Sequence, residues 1–183
     1  MMDLVRAIAD LDQADELDAA RLLLLLEAFS QGRASGAIEG LTKLAKLDFL
    51  LRYPVMLERA LTAKGKSTRE VAVEDHERFS VESEMVRYRF GPWDHRYRER
   101  LNGLVARGMA SIAIAGRTVN VSVTELGKSQ ARLLASEPLF EPYARRARVL
   151  RRHFDLGGTS LMRFIYATFP EVVSLKSNSR IAL

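Results

Sequence analysis

The chain has 183 residues, 48% of them hydrophobic and 28% charged, with a net charge of +5 and no cysteine. This composition gives a folded protein enough residues for a full core, as one domain or one domain with a helical extension, and it excludes a disordered chain, disulfides and thiolate metal sites. The charge is uneven: residues 1–83 carry 11 Lys/Arg against 15 Asp/Glu, net −4, and residues 84–183 carry 17 against 8, net +9.

A basic second half fits a polyanionic partner, most simply nucleic acid, or else a solvated basic face. The N-terminus is acidic where a secretory leader needs basic residues. The most apolar run, Leu22 to Leu26, is bracketed by Arg21 and Glu27 far short of a membrane span. A cytoplasmic protein that does not cross a membrane is the expectation.

In chain order, residues 1–18 set six acids against Arg6 alone and read as a short helix. A second helix follows over Ala14 to Phe29. Leu22 to Leu26 make it apolar almost all round, so it must be covered by the protein's own core or by a partner. Gln31 to Gly36 is a loop. Ile38 to Tyr53 reads as a helix with a broad apolar face at Leu41, Leu44, Leu47, Phe49, Leu50 and Leu51. Pro54 suits the first turn of a helix over Val55 to Ala63, which Lys64-Gly65-Lys66-Ser67 ends. Thr68 to Ser83 is strongly charged, either an exposed insertion or a short helix.

The organising stretch is Glu84 to Ser136. Met85 to Phe90 alternates apolar and basic residues as a strand does, and Gly91-Pro92 breaks it. Asp94 can cap a helix whose one face holds Trp93, Tyr97, Leu101, Leu104 and Val105, with Gly103 a weak point inside and Gly108 the stop. Ser111 to Ile114 and Val119 to Val123 alternate as two strands, turned by Ala115-Gly116-Arg117-Thr118 with Gly116 free to take a positive φ. Thr124 then caps a helix through Leu134. Helix, hairpin and helix with a basic hairpin tip is the layout of a winged helix.

Beyond it, Glu137 to Glu141 is a turn or a first helical turn. A helix over Pro142 to Phe154 has Tyr143, Ala147, Leu150 and Phe154 on one face and Arg145, Arg148 and Arg152 on the other, flanked by Arg146 and Arg151. Gly157-Gly158 stops it, and Thr159 caps a last helix that Pro170 closes. The tail from Ser174 is polar and loosely held. The expected fold is mainly α with a small β hairpin or sheet: a winged helix-turn-helix with helical extensions at both ends. Its parts are an N-terminal helical segment (1–37), the winged-helix domain (38–136, with an insertion at about 65–83) and a C-terminal helical extension (137–183).

No catalytic set emerges. His76, His95 and His153 share no ligand spacing, and in Asp75-His76-Glu77 neighbouring side chains on a helix point apart. Gly127-Lys128-Ser129 lacks the glycine five positions before it that a phosphate loop needs, since Ser122 stands there. There is no Gly-x-Ser-x-Gly and no thiol nucleophile. The expectation is a protein that is not an enzyme and holds no metal or cofactor. The basic residues are the better lead. Arg96, Arg98, Arg100 and Asn102 lie on the helix that would enter a major groove. Arg117 at the hairpin tip would meet a phosphate or the minor groove, and Arg145, Arg148 and Arg152 extend the basic surface. Glu99 amid them repels phosphates, so backbone contact with little sequence preference is expected. Winged helices also serve as protein-binding modules, and the residues leave that alternative open.

Leu41-Thr42-Lys43-Leu44-Ala45-Lys46-Leu47-Asp48-Phe49-Leu50-Leu51-Arg52-Tyr53-Pro54 resembles the first helix of a bacterial winged-helix group. Tyr88-Arg89-Phe90-Gly91-Pro92-Trp93-Asp94 and Leu104-Val105-Ala106-Arg107-Gly108 resemble its second signature. Thr124-Glu125-Leu126-Gly127 is similar to the common exit from the wing. Together, over about residues 38–170, the chain resembles the middle components of three-part systems built on an SMC-like ABC ATPase, such as Lamassu anti-phage defence. The resemblance implies a non-enzymatic adaptor that contacts the ATPase, an effector subunit and double-stranded DNA. The alternative is a free-standing winged-helix transcription regulator, which should dimerise on a palindromic site. No obvious ligand pocket or dimer zipper marks the chain as a regulator.

Overall fold

In the computed structural model, which describes residues 2–31, 36–79, 86–88, 91–93 and 96–171, helix α1 runs unbroken over Met2–Ser30. The two helices expected there are one. No glycine or proline interrupts the stretch, so the acidic run continues into the apolar one.

Strand β1 (Ala37–Glu39) follows, then α2 (Leu41–Arg52), α3 (Pro54–Ala63) and the short α4 (Asp75–Phe79). The helix expected from Ile38 thus starts three residues late. Gly40 takes φ 97°, a left-handed turn open to glycine, and donates its N–H to the Val119 carbonyl at 2.9 Å, so the residues before it pair as a strand.

Strands β2 (Val86–Tyr88) and β3 (Gly91–Trp93) form a two-stranded antiparallel ribbon, with Val86 opposite Trp93 and Tyr88 opposite Gly91. Gly91-Pro92 therefore opens a return strand rather than ending one. A proline is tolerated because a two-stranded ribbon has free edges. Trp93 belongs to β3, and α5 starts only at Tyr97, running to Ala106. The strand ends expected at Met85, Arg89 and Phe90 lie outside the described residues. So do the Asp94 cap, His95, parts of the two loops (32–35 and 80–83) and the tail from Ser174.

The wing is as read. β4 (Ala110–Ala115) and β5 (Thr118–Val123) pair antiparallel around Gly116 at φ 61°. β1 adds to β5 to give the sheet order β1-β5-β4. Thr124 caps α6 (Glu125–Ser136), accepting the Gly127 N–H at 3.0 Å and donating to the Gly108 carbonyl at 2.6 Å. α7 (Glu141–Phe154) and α8 (Gly158–Thr168) complete the chain. The cap of α8 is Gly157, not Thr159, and no side chain serves it. The fold is thus mainly helical with a small antiparallel sheet, a winged helix extended at both ends. No helix among the described residues is long and apolar enough to cross a membrane.

α1 lies at the centre, against α2, α5, α6, α7 and the wing sheet. Leu22 to Leu26 are each at most 2% exposed, covered by these elements of the protein itself. One hydrophobic core joins them to Leu47 and Leu50 of α2, Leu101 and Leu104 of α5, Leu150 and Phe154 of α7, and Ile165 of α8. It runs across both boundaries drawn from the sequence, at 37 and at 136. The charged segment after α3 is anchored from inside. Val71 is fully buried, and the buried Arg146 donates to the carbonyls of Val71 and Ala72 at 2.9 and 3.1 Å and grips Glu77 with two bonds of 2.6 Å.

Candidate nucleic-acid interface

The basic residues of α5 divide by the face they occupy. Tyr97, Arg100, Leu101 and Leu104 turn inward, while Arg98, Glu99, Asn102 and Val105 face solvent. Arg100 forms ion pairs with Asp18 and, at 3.4 Å, with Asp15, both on α1. Arg96, just before α5, meets the same Asp15 at 2.8 Å. Asp18 also receives Arg21 and, at 3.6 Å, Arg52. Arg52 bonds Asp48 at 3.2 Å, and the Tyr97 hydroxyl donates to Asp48. This network of four arginines and three aspartates, buried except at Arg96 and Asp15, holds α1, α2 and α5 together. Two of the eight candidate contacts, Arg96 and Arg100, take part in it; Arg100 is buried there, while Arg96 stays partly exposed.

Arg98 and Asn102 remain on the open face of α5. Arg117 stands exposed at the wing tip, and Arg148 is exposed on α7. None of these four has a hydrogen-bond or ion-pair partner among the described residues. The other α7 candidates do have acids nearby: Arg145 is 3.5 Å from Glu141, and Arg152 is 2.5 Å from Glu70. Arg152 is thereby tied to the segment that Arg146 anchors, Arg145 pairs within α7 itself, and neither ion pair reaches α5 or the wing. Glu99 is exposed among the free residues of α5, as expected. An open cleft of about 580 Å³ between α1, α5 and α6 is lined by Asp15, Glu16, Glu99, Arg100 and Arg107, so the α1 side of α5 has mixed charge.

A second cleft, of about 570 Å³, lies where the wing tip meets the starts of α2 and α8. Glu39, Gly40, Leu41, Thr42, Lys46, Arg117, Gly158 and Thr159 are among its lining residues. Neither helix has a side-chain cap or an acid in its first turn. The N–H groups of Leu41 and Thr42 have no acceptor among the described residues, and neither do those of Gly158 and Thr159.

Lys46 is 2% exposed, and its ammonium donates to the Thr42 carbonyl at 3.2 Å, its one hydrogen bond among the described residues. Burial, with no counter-ion among the described residues, lowers its pKa from 10.5 to about 8. Its neighbour Lys43, by contrast, pairs with Asp155 at 3.0 Å. Nothing in the charge pattern of the sequence sets Lys46 apart from other lysines. The available signal was its phase, since it falls four residues before Leu50 on the apolar side of α2.

Among the described residues no three His, Asp or Glu side chains gather as a metal site, and Gly127-Lys128-Ser129 lies within α6. No protein-family model matches the chain, and no curated protein or solved structure is detectably similar to it.

Proposed function

We propose that the chain is a non-enzymatic winged-helix adaptor subunit of an SMC-like ABC ATPase anti-phage defence complex, contacting the ATPase and an effector through protein surfaces and duplex DNA through its backbone. The observation that carries the reading is the wing, where one hairpin offers two chemistries. Arg117 at its tip has no acidic partner among the described residues, while Ile112 and Ile114 on the outer strand β4 are 41% and 76% exposed. Cations without internal partners suit a phosphate backbone, and exposed branched side chains on an edge strand suit a protein partner. Arg98 and Asn102 add a polar face on α5, with Glu99 disfavouring close reading of bases.

The test separates the two contacts. Replacing Arg98 and Arg117 with alanine should weaken duplex binding for all sequences alike and reduce the slope of affinity against salt by about two. Ile112→Ser with Ile114→Asp should leave DNA binding intact and abolish copurification with a coexpressed coiled-coil ATPase. A chain that binds one palindrome as a homodimer and ignores the ATPase would overturn the adaptor. The regulator reading has one observation in its favour: Leu126 and Leu133, seven residues apart on α6, are 50% and 60% exposed, a stripe that a second copy would cover.

A further inference from the structure

We propose that the cleft between the wing tip and the starts of α2 and α8 is a binding site for a phosphate group. The inference stands on the cleft's own geometry and does not depend on the adaptor reading. Two helices of 12 and 11 residues begin at its wall, each with unpaired N–H groups and no acid in the first turn. Helix starts of this kind offer donors and a positive end to an anion.

A helix start alone is no site, and Lys46 supplies the independent observation. It is a buried ammonium on the wall of the same cleft, with no carboxylate partner among the described residues. A buried cation is costly unless an anion accompanies it, and a phosphate in this cleft would be that anion. Arg117 at the rim supplies a second cation of the bidentate type that grips phosphate oxygens. Gly157 and Gly158 leave the start of α8 open, since a Cβ at either would meet nothing within 4 Å. Glu39, on the rim, is the opposing charge. Two cations and two helix starts outweigh it.

The same chemistry reaches the cleft from two sources, a phosphodiester of duplex DNA or a small phosphorylated molecule. Binding of inorganic phosphate to the full chain, followed by ³¹P NMR and by melting temperature at matched ionic strength, tests the shared claim. Wild type should bind and melt higher. Lys46→Met should bind about tenfold more weakly or worse, the scale of one lost charge-assisted hydrogen bond. Gly158→Asp, which places an acid where a helix start favours one, should keep the fold and lose the phosphate. Arg132→Ala, an exposed arginine of α6 that does not line the cleft, should bind as wild type does. Because an anion beside Lys46 favours its charged form, phosphate binding above pH 8 should take up protons in wild type and not in Lys46→Met.

Competition then identifies the source. Phosphate or adenosine monophosphate that displaces a DNA duplex assigns the cleft to the backbone, and binding without displacement assigns it to a small molecule; either result supports the site. Absence of phosphate binding to wild type, or equal binding by Lys46→Met and Gly158→Asp, overturns it.

Discussion

Arg100 on α5 and Asp18 on α1 form a buried ion pair, their side chains 5% and 4% exposed. Helix α5 is therefore held against the central helix by charge as well as by Leu101 and Leu104. Asp18 is the common acceptor for Arg21, Arg52 and Arg100, which come from three different helices. The network sets the angle of α5 and decides which of its arginines stay free for a ligand.

Removing the shared acid is the severe change. Asp18→Ala leaves three arginines around a lost charge and is expected to cost about 3–5 kcal/mol in denaturant unfolding. Arg100→Ala should cost less, because Asp18 keeps Arg21 and Arg52. If Arg100 met phosphate instead, its loss would weaken DNA binding and leave stability unchanged.

Arg146 should act as a latch for residues 66–79, which follow α3. Arg146→Ala releases the Val71 and Ala72 carbonyls and leaves Glu77 without its cation, an expected loss of about 3 kcal/mol. Limited proteolysis should then cut within residues 66–79. The latch is also acid-sensitive. Burial raises the Glu77 pKa, but the Arg146 hydrogen bonds, the Glu74 backbone and the Arg146 charge more than offset it, so the carboxyl sits below its ordinary value of 4.5. A depressed carboxylate stabilises the fold above the unfolded pKa and loses that contribution as pH falls through the folded one. Proteolysis of the segment should rise below about pH 4.5 in wild type, while Glu77→Gln should show little of that dependence.

Gly127 is required by contact rather than by conformation. A Cβ there would sit 2.0 Å from the Met109 carbonyl oxygen and 2.7 Å from Val123. In an open helix Gly→Ala gains about 1 kcal/mol. Here the backbone beside β4 must move, and Gly127→Ala should instead cost about 2 kcal/mol or more. An alanine variant with a raised melting temperature would show that α6 does not lie this close to β4.

What the sequence disclosed follows from range. The wing was legible because alternation, Gly116 and the Thr124 cap are local signals over a few residues each. β1 was hidden, since three residues are too few for a period and Ile38 extends the helical pattern of α2. The β2–β3 ribbon was missed because Gly-Pro reads as a stop and Trp93 fits the face of α5 when counted back from Tyr97. The site was harder. Arg100 and Asp18 are far apart in the chain, and nothing local distinguishes an arginine with a distant buried acid from one in solvent. The cleft at Lys46 joins α2, the wing and α8, three elements that only the fold brings together.

Lys46 makes a signed prediction about pH. Its pKa is about 8 in the folded chain against the ordinary lysine value of 10.5 once unfolded, so between those values the unfolded chain holds more protons. Stability must then rise with pH across that window as the cost of a buried charge is removed, by up to roughly 3 kcal/mol for this group alone. Lys46→Met never bears that cost. It should be more stable than wild type at pH 7, and the difference should shrink from about pH 8 upward and vanish above about pH 10.5. Comparing the two proteins by urea unfolding isolates this contribution, because Lys64, whose pKa is also lowered by burial and by Lys66, titrates in both. Saturating phosphate should narrow the gap at pH 7, because the anion offsets the cost in wild type and has less to bind in the variant. A gap independent of pH would mean that the Lys46 ammonium is already solvated or paired, and the cleft would lose its buried cation.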